Sequence, residues 1–94
     1  FFVFAAAEQA ATPYDLVLLD LFSQDGNPLL LFQAPIYQAL ANCLRGTLII
    51  NLLPRTHLEL AQAKKLAEEW IGPTTAHGVP GYRNVILHAT NLSA

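Results

Sequence analysis

The sequence predicts an α/β fold whose wound sheet ends in an antiparallel hairpin, and three observations lead to that prediction. Short, nearly continuous apolar runs at residues 14–21 and 47–53 have the length and composition of strands buried on both faces. Each run is followed by a segment with helical spacing of its apolar residues. A Pro80-Gly81 pair then separates two further short strands, and so short a connection favours an antiparallel pair.

The first half of the chain contains one conflict and two clear elements. Residues 1–4 have strand-like composition, whereas residues 5–11 favour a helix, and Thr12-Pro13 breaks whatever precedes it. The strand at residues 14–21 carries Asp20 to its carboxyl end. Pro35 suits the first turn of a helix of about ten residues, and Gly46 is expected to end that helix.

The second half of the chain repeats the strand and helix before the hairpin. The strand at residues 47–53 is closed by Pro54, and Thr56-x-x-Glu59 has the form of a capping box that opens a second helix. Gly72-Pro73 is expected to end that helix. Strands are then predicted at residues 74–79 and 84–89.

Composition predicts a chain with more apolar surface than it can hide by itself. Its 94 residues allow at most one domain, yet 53% of them are hydrophobic and 13% are charged, against roughly 25% charged in an average soluble domain. Right-handed crossovers between side-by-side strands place both helices on one face of the sheet. The other face is then bare and apolar, so we expect two copies of the chain to pack there as a homodimer.

Charge and cysteine content exclude several classes of function. A net charge of −2 and scattered basic residues offer no footprint for nucleic acid. The single cysteine, Cys43, excludes an internal disulfide and indicates a reducing compartment, so we expect a cytoplasmic protein. No apolar run reaches the 18 or so residues that span a bilayer, and residues 1–7 lack the basic start of a signal peptide.

Four polar residues are candidates for a site at the carboxyl end of the sheet. Asp20 could act as a general base if an amine nitrogen lies within hydrogen-bond reach, or it could simply bond loop N–H groups. Ser23 and Asp25 lie in the following loop, where turn roles compete with ligand roles. Asn51 interrupts an apolar strand, so its amide must bond a loop or line the crevice beside Asp20.

The three histidines predict no metal site. His57, His77 and His88 are separated by twenty and eleven residues, which is not the spacing of a metal motif. Cys43 occupies an apolar position of the first helix, where we expect it to pack as a small hydrophobic side chain.

Several of these segments resemble the carboxyl-terminal half of spermidine synthase-like proteins, within the class I S-adenosylmethionine-dependent methyltransferase superfamily. The resemblance covers residues 14–89. It is carried by Tyr14-Asp15 leading into Leu18-Leu19-Asp20, the Phe-Ser-Gln-Asp-Gly-Asn-Pro loop at residues 22–28, and the segments 31–40 and 46–52. It implies a partial Rossmann-like sheet that transfers an aminopropyl or methyl group from decarboxylated S-adenosylmethionine or S-adenosylmethionine.

The resemblance also assigns roles and shows departures. It implies that Asp20 is the base towards a small amine substrate, with Ser23, Asp25 and Asn51 near that substrate. Members that form polyamines carry Asp-x-x-Asp-Pro, whereas here Ser23 and Gln24 replace its second Asp and its Pro. The glycine-rich cofactor loop is missing from the sequence. The resemblance therefore implies residues 1–94 as a single partial domain, inactive by itself. The alternative is a non-catalytic module that homodimerises through its bare sheet.

Overall fold

The computed structural model describes residues 14–21 and 25–92, and within them it confirms an α/β fold. The elements in chain order are β1 (Tyr14–Leu19), a 3₁₀ helix (Leu29–Phe32), α1 (Ala34–Cys43), β2 (Leu44–Leu52), α2 (His57–Trp70), β3 (Thr74–Gly78) and β4 (Val85–Thr90). The predictions for residues 1–11 and for Ser23 lie outside the described residues.

The four strands form one mixed sheet in the order β1-β2-β4-β3. β1 runs parallel to β2, while β4 runs antiparallel to both of its neighbours, β2 and β3. The predicted hairpin of β3 and β4 is therefore confirmed, and it is β4 that lies against β2. The central position of β4 matches its side chains, since Leu87 and Ala89 are almost fully buried whereas β3 is exposed from Thr75 to Gly78.

The hydrophobic core lies between one face of the sheet and the two helices. Along β2 every second side chain is fully buried at Leu48, Ile50 and Leu52. The helices contribute Leu40 of α1 and Ala63 of α2 to the same cluster. Because α1 and α2 also contact each other, the described helices share this face, as the crossover argument predicts.

The opposite surface of the sheet, here called the open face, has no helix from the described residues on it. Leu16 and Leu18 of β1 are 58% and 63% exposed. Leu18 is aligned with Ile49 of β2 in the parallel register, so the two apolar side chains are neighbours on this surface. An exposed apolar sheet face of this kind is typical of an interaction surface.

The prediction that Gly46 ends the first helix is wrong. α1 ends at Cys43, β2 begins directly at Leu44, and Gly46 lies inside the strand. The parallel register shifts there, because Tyr14 is aligned with Leu44 while Leu16 is aligned with Thr47. The shift is a β-bulge that puts two residues of β2 opposite one residue of β1.

Asn91 and Gly46 together stabilise this bulge. The Asn91 side chain donates to the Leu44 carbonyl at 2.7 Å, and the Asn91 backbone N–H donates to the Gly46 carbonyl at 2.8 Å. A Cβ atom on residue 46 would collide with the carbonyl oxygen of Asp15. Glycine is therefore required because β1 and β2 approach each other closely at this point.

Candidate functional site

Asp20 and Asn51 meet at the carboxyl edge of the parallel strand pair. Asp20 directly follows β1, and Asn51 is the penultimate residue of β2. Because β1 and β2 are parallel, their carboxyl ends lie at the same edge, where α/β proteins collect ligands. The Asn51 amide nitrogen, Nδ2, donates to Asp20 Oδ1 at 3.1 Å. Asn51 therefore bonds Asp20, at the start of the loop after β1, but it is not among the residues that line the cleft beside Asp20.

A third polar side chain, from the hairpin, extends this contact. Asn84 directly precedes β4, and its Nδ2 donates to Asn51 Oδ1 at 3.1 Å. Strand pairing explains the meeting, since Val85 is aligned with Leu52 and Asn84 is therefore diagonal to Asn51. Sequence reasoning missed Asn84, whose only signal is an amide side chain immediately before an apolar strand.

Asn27 joins the loop after β1 to the loop after β2. Its side chain donates to the Leu21 carbonyl at 2.8 Å and accepts from the Leu53 backbone N–H at 2.7 Å. Asn27 is buried, and both of these bonds pair backbone groups at the ends of the strands. Asn27 was not among the predicted site residues. An asparagine between a glycine and a proline is nevertheless typical of a turn in which the asparagine side chain bonds nearby backbone groups.

An open cleft lies beside this polar edge and has a volume of 470 Å³. Its lining comprises Asp20, Leu21, Asp25, Gly26, Asn27, Pro28 and Arg55. A second cleft of 340 Å³ shares Asp25, Gly26 and Arg55 with the first and reaches Arg83. The structure thus places Asp20 and Asp25 on one cleft, as the sequence predicts, and adds two arginines that sequence reasoning did not select.

Arg55 is held in the cleft wall by the first turn of α2. Its backbone N–H donates to Glu59 Oε1 at 2.8 Å and its guanidinium pairs with Oε2 at 2.9 Å. The predicted cap is confirmed, because the Thr56 hydroxyl accepts from the Glu59 N–H at 3.2 Å. The Glu59 carboxylate, however, bonds the N–H of Arg55 and not that of Thr56.

The pairing of Arg55 with Glu59 affects the charge of both groups. The hydrogen bonds from Arg55 lower the pKa of Glu59, and those same contacts raise the pKa of Arg55, with the charge of Asp25 as a smaller cause. The Arg55 side chain is exposed and that of Glu59 is only partly buried, so the pair contributes little to stability. Its main effect is geometric, since it fixes a positive group beside Asp20 and Asp25.

The other reactive residue types serve packing or face solvent. Cys43 is buried against the core as predicted, and burial raises the pKa of its thiol. The His77 ring bonds the Thr75 hydroxyl at 2.9 Å. Across residues 14–21 and 25–92, no three His, Cys, Asp or Glu side chains form a group that could hold a metal ion. Within the same ranges, neither helix combines the length and apolar character that crossing a membrane requires.

The site therefore consists of carboxylates and amides near the ends of two parallel strands, with an arginine among the residues that line the same cleft. Many unrelated α/β proteins place polar residues at this edge, so the arrangement alone does not specify a reaction. Comparison with known proteins found no matching family model, no matching curated protein and no matching solved structure.

Proposed function

We propose that this chain is the carboxyl-terminal half of a spermidine synthase-like fold and that its cleft binds a small amine, with Asp20 as the base. The observation that carries the proposal is the position of Asp20, which lines a cleft of 470 Å³ and is held by Asn51. The Tyr14-Asp15 segment and the loop at residues 22–28 support it through their resemblance to that family.

The chemistry of Asp20 suits an amine. Asn51 occupies Oδ1, while Oδ2 accepts no hydrogen bond from the described residues. An ionised carboxylate in this position accepts a charge-assisted hydrogen bond from an ammonium group. When the amine reacts as a nucleophile, Oδ2 of Asp20 can accept the proton that the amine loses, provided that nitrogen and oxygen lie within about 3 Å.

The described residues do not fit the donor of the transferred group. S-adenosylmethionine and its decarboxylated form carry an adenosine, yet Leu21 and Pro28 are the only large apolar side chains that the described residues contribute to the cleft lining. The sequence also contains no glycine-rich nucleotide loop. We therefore assign amine binding to this chain and the donor site to the missing half of the fold, so that the isolated chain has no transferase activity. We also propose a cytoplasmic location, because Cys43 is a free thiol and such thiols are typical of reducing compartments.

Replacing Asp20 tests this assignment. In calorimetric titration with putrescine, Asp20→Asn is expected to weaken binding by about tenfold or more, because a charge-assisted hydrogen bond is lost. Glu68→Gln removes one exposed carboxylate from α2 and is expected to bind like the unaltered chain. Putrescine that fails to bind the unaltered chain, or that binds Asp20→Asn equally well, would exclude the amine site.

The second candidate function is a non-catalytic module that homodimerises through the open face. The specific observation is that Leu16 and Leu18 are more than half exposed on a surface without a described helix. Among the strands that the structure describes, β1 is also at the edge of the sheet, a position at which strands pair with other chains. Two copies related by a twofold axis would bury both features at once.

An acidic substitution on the open face tests the dimer. Leu18→Glu is expected to convert a dimer into a monomer in sedimentation experiments at micromolar concentration, because it buries an unpaired charge in the interface. Leu58→Glu is the matched control, since Leu58 is 81% exposed on α2 and lies outside the open face. A monomeric unaltered chain, or a Leu18→Glu chain that still dimerises, would contradict the module.

A further inference from the structure

Three side chains at the carboxyl edge form a chain of hydrogen bonds with a defined direction. Asn84 donates to Asn51 Oδ1, and Asn51 donates in turn to Asp20 Oδ1, each over 3.1 Å. These residues belong to three different strand ends, those of β4, β2 and β1. The bonds therefore connect the carboxyl-terminal hairpin to the residue proposed as the base.

The chemistry of each group determines that direction. An ionised carboxylate only accepts hydrogen bonds, so Asn51 must turn its NH₂ group towards Asp20. The oxygen of Asn51 then faces the hairpin, where only a donor can satisfy it. Asn84 supplies that donor through Nδ2. If Asn51 rotated its amide by half a turn, two acceptors would meet at Asp20 and two donors at Asn84.

Strand register keeps the three groups on the same side of the sheet. Leu19 is aligned with Ile50, so Asp20 and Asn51 occupy the next row. Side chains alternate along a strand, and by that alternation Asp20 and Asn51 continue the row of Leu18 and Ile49 on the open face. Asn84 lies two residues before Ile86, which is aligned with Asn51. All three side chains therefore project from one surface of the sheet.

We propose that Asn84 is a positioning residue, which fixes the amide of Asn51 and through it turns the Asp20 carboxylate so that Oδ2 faces the cleft. The reason for orienting the Asp20 carboxylate, which is to receive an amine, rests on the proposed function. The orientation itself is a property of the free protein and is measured without a ligand. Asn84 is not among the residues that line the cleft beside Asp20, and its side chain bonds Asn51, so it acts on Asp20 through Asn51.

Two substitutions at residue 84 separate positioning from general stability. Asn84→Ala removes the donor and leaves the Asn51 oxygen unpaired. Asn84→Asp keeps the shape but replaces the donor with an acceptor, so the Asn51 oxygen faces a carboxylate whichever way its amide is turned, and the single orientation towards Asp20 is expected to be lost. Asn42→Asp makes the same change of charge at an exposed position of α1 and is the matched control.

Side-chain amide signals in nitrogen-15 NMR spectra report this rotation without any ligand. The Asn51 NH₂ signals of the unaltered chain are expected to shift when Asp20→Ala removes the carboxylate to which Asn51 donates. In Asn84→Asp this response is expected to be weaker, because the Asn51 amide no longer has one preferred orientation, and in Asn84→Ala the two protons of the Asn51 NH₂ group should approach each other in chemical shift. Asn42→Asp should leave the pattern unchanged.

The outcomes distinguish this inference from the proposed function. Asn51 signals that respond equally to Asp20→Ala in the unaltered chain and in both Asn84 variants, with the backbone signals of β2 and β4 in place, would overturn the positioning role. A weakened response in Asn84→Asp together with an absence of putrescine binding would support the positioning role and exclude the amine site. Because Asn84→Asp is nearly isosteric, its fold should persist even if Asn84→Ala unfolds.

Discussion

Gly46→Ala is expected to destabilise the protein by about 3 kcal/mol or more, because an added Cβ atom has no space in the bulge. The atom would overlap the backbone carbonyl of Asp15, and a backbone group cannot rotate away as a flexible side chain can. The clash is relieved only if β1 separates from β2. The measurement is the midpoint of urea unfolding at constant slope, compared with that of the unaltered chain.

Gly78→Ala is the matched control for this effect. Gly78 ends β3, and a Cβ atom built there meets nothing within 4 Å. The substitution is expected to be neutral or to stabilise by about 0.5 kcal/mol through the unfolded state. Equal unfolding midpoints for the two alanine variants would show that β1 and β2 do not approach as closely as described.

Tyr37→Ala is expected to cost about 3–5 kcal/mol, as for other large aromatic residues in a core. Tyr37 lies in α1, is fully buried, and donates from its hydroxyl to the Leu31 carbonyl at 2.7 Å. Tyr37→Phe isolates the hydroxyl and is expected to cost about 1–2 kcal/mol, since the buried Leu31 carbonyl loses its partner. Urea unfolding of both variants separates packing from hydrogen bonding.

The alkaline limb of the stability profile gives a second measurement for Tyr37. Burial raises the pKa of its phenol above the ordinary value of about 10. Below that value the phenol is neutral in both states, and above it only the unfolded chain loses the proton, so stability falls as the pH rises. Tyr37→Phe is expected to reduce this loss. Tyr82→Phe, at an exposed tyrosine, should retain it, and equal profiles for the two variants would refute the assignment.

The two candidate functions use adjacent parts of one surface. By strand alternation, Asp20 and Asn51 follow Leu18 and Ile49 along β1 and β2, so the polar edge continues the apolar open face. A second copy on the open face would therefore lie next to the cleft. The amine titration and the sedimentation experiment consequently test neighbouring surfaces with different residues, and either result can be obtained without the other.

The meeting of Asp20 with Asn51 could be predicted because it depends on local signals and one general rule. Two apolar strands joined by a helix run parallel, and their carboxyl ends then lie at one edge. A polar residue that ends each strand must therefore face its counterpart. The confirmed cap at Thr56 and the burial of Cys43 are likewise decided by a few neighbouring residues.

Asn84, Arg55 and the bulge at Gly46 could not be predicted in this way. Asn84 reaches Asn51 because β4, and not β3, pairs with β2, and both orders are compatible with a short turn between β3 and β4. Arg55 enters the cleft wall through its pairing with Glu59, and its side chain lies where a Cβ atom on residue 26 would come close to it. Gly46 has the usual signal of a helix end, but the close approach of β1 overrides it.

The sequence by itself determined which segments become strands and helices, and which carboxylate stands at the end of the first strand, because periodicity, caps and turn residues act over a few positions. Only the tertiary structure decided the strand order, the bulge and the three-residue chain from Asn84 to Asp20. These features depend on competition for burial between β3 and β4 and on contacts between residues more than thirty positions apart, which no local pattern encodes.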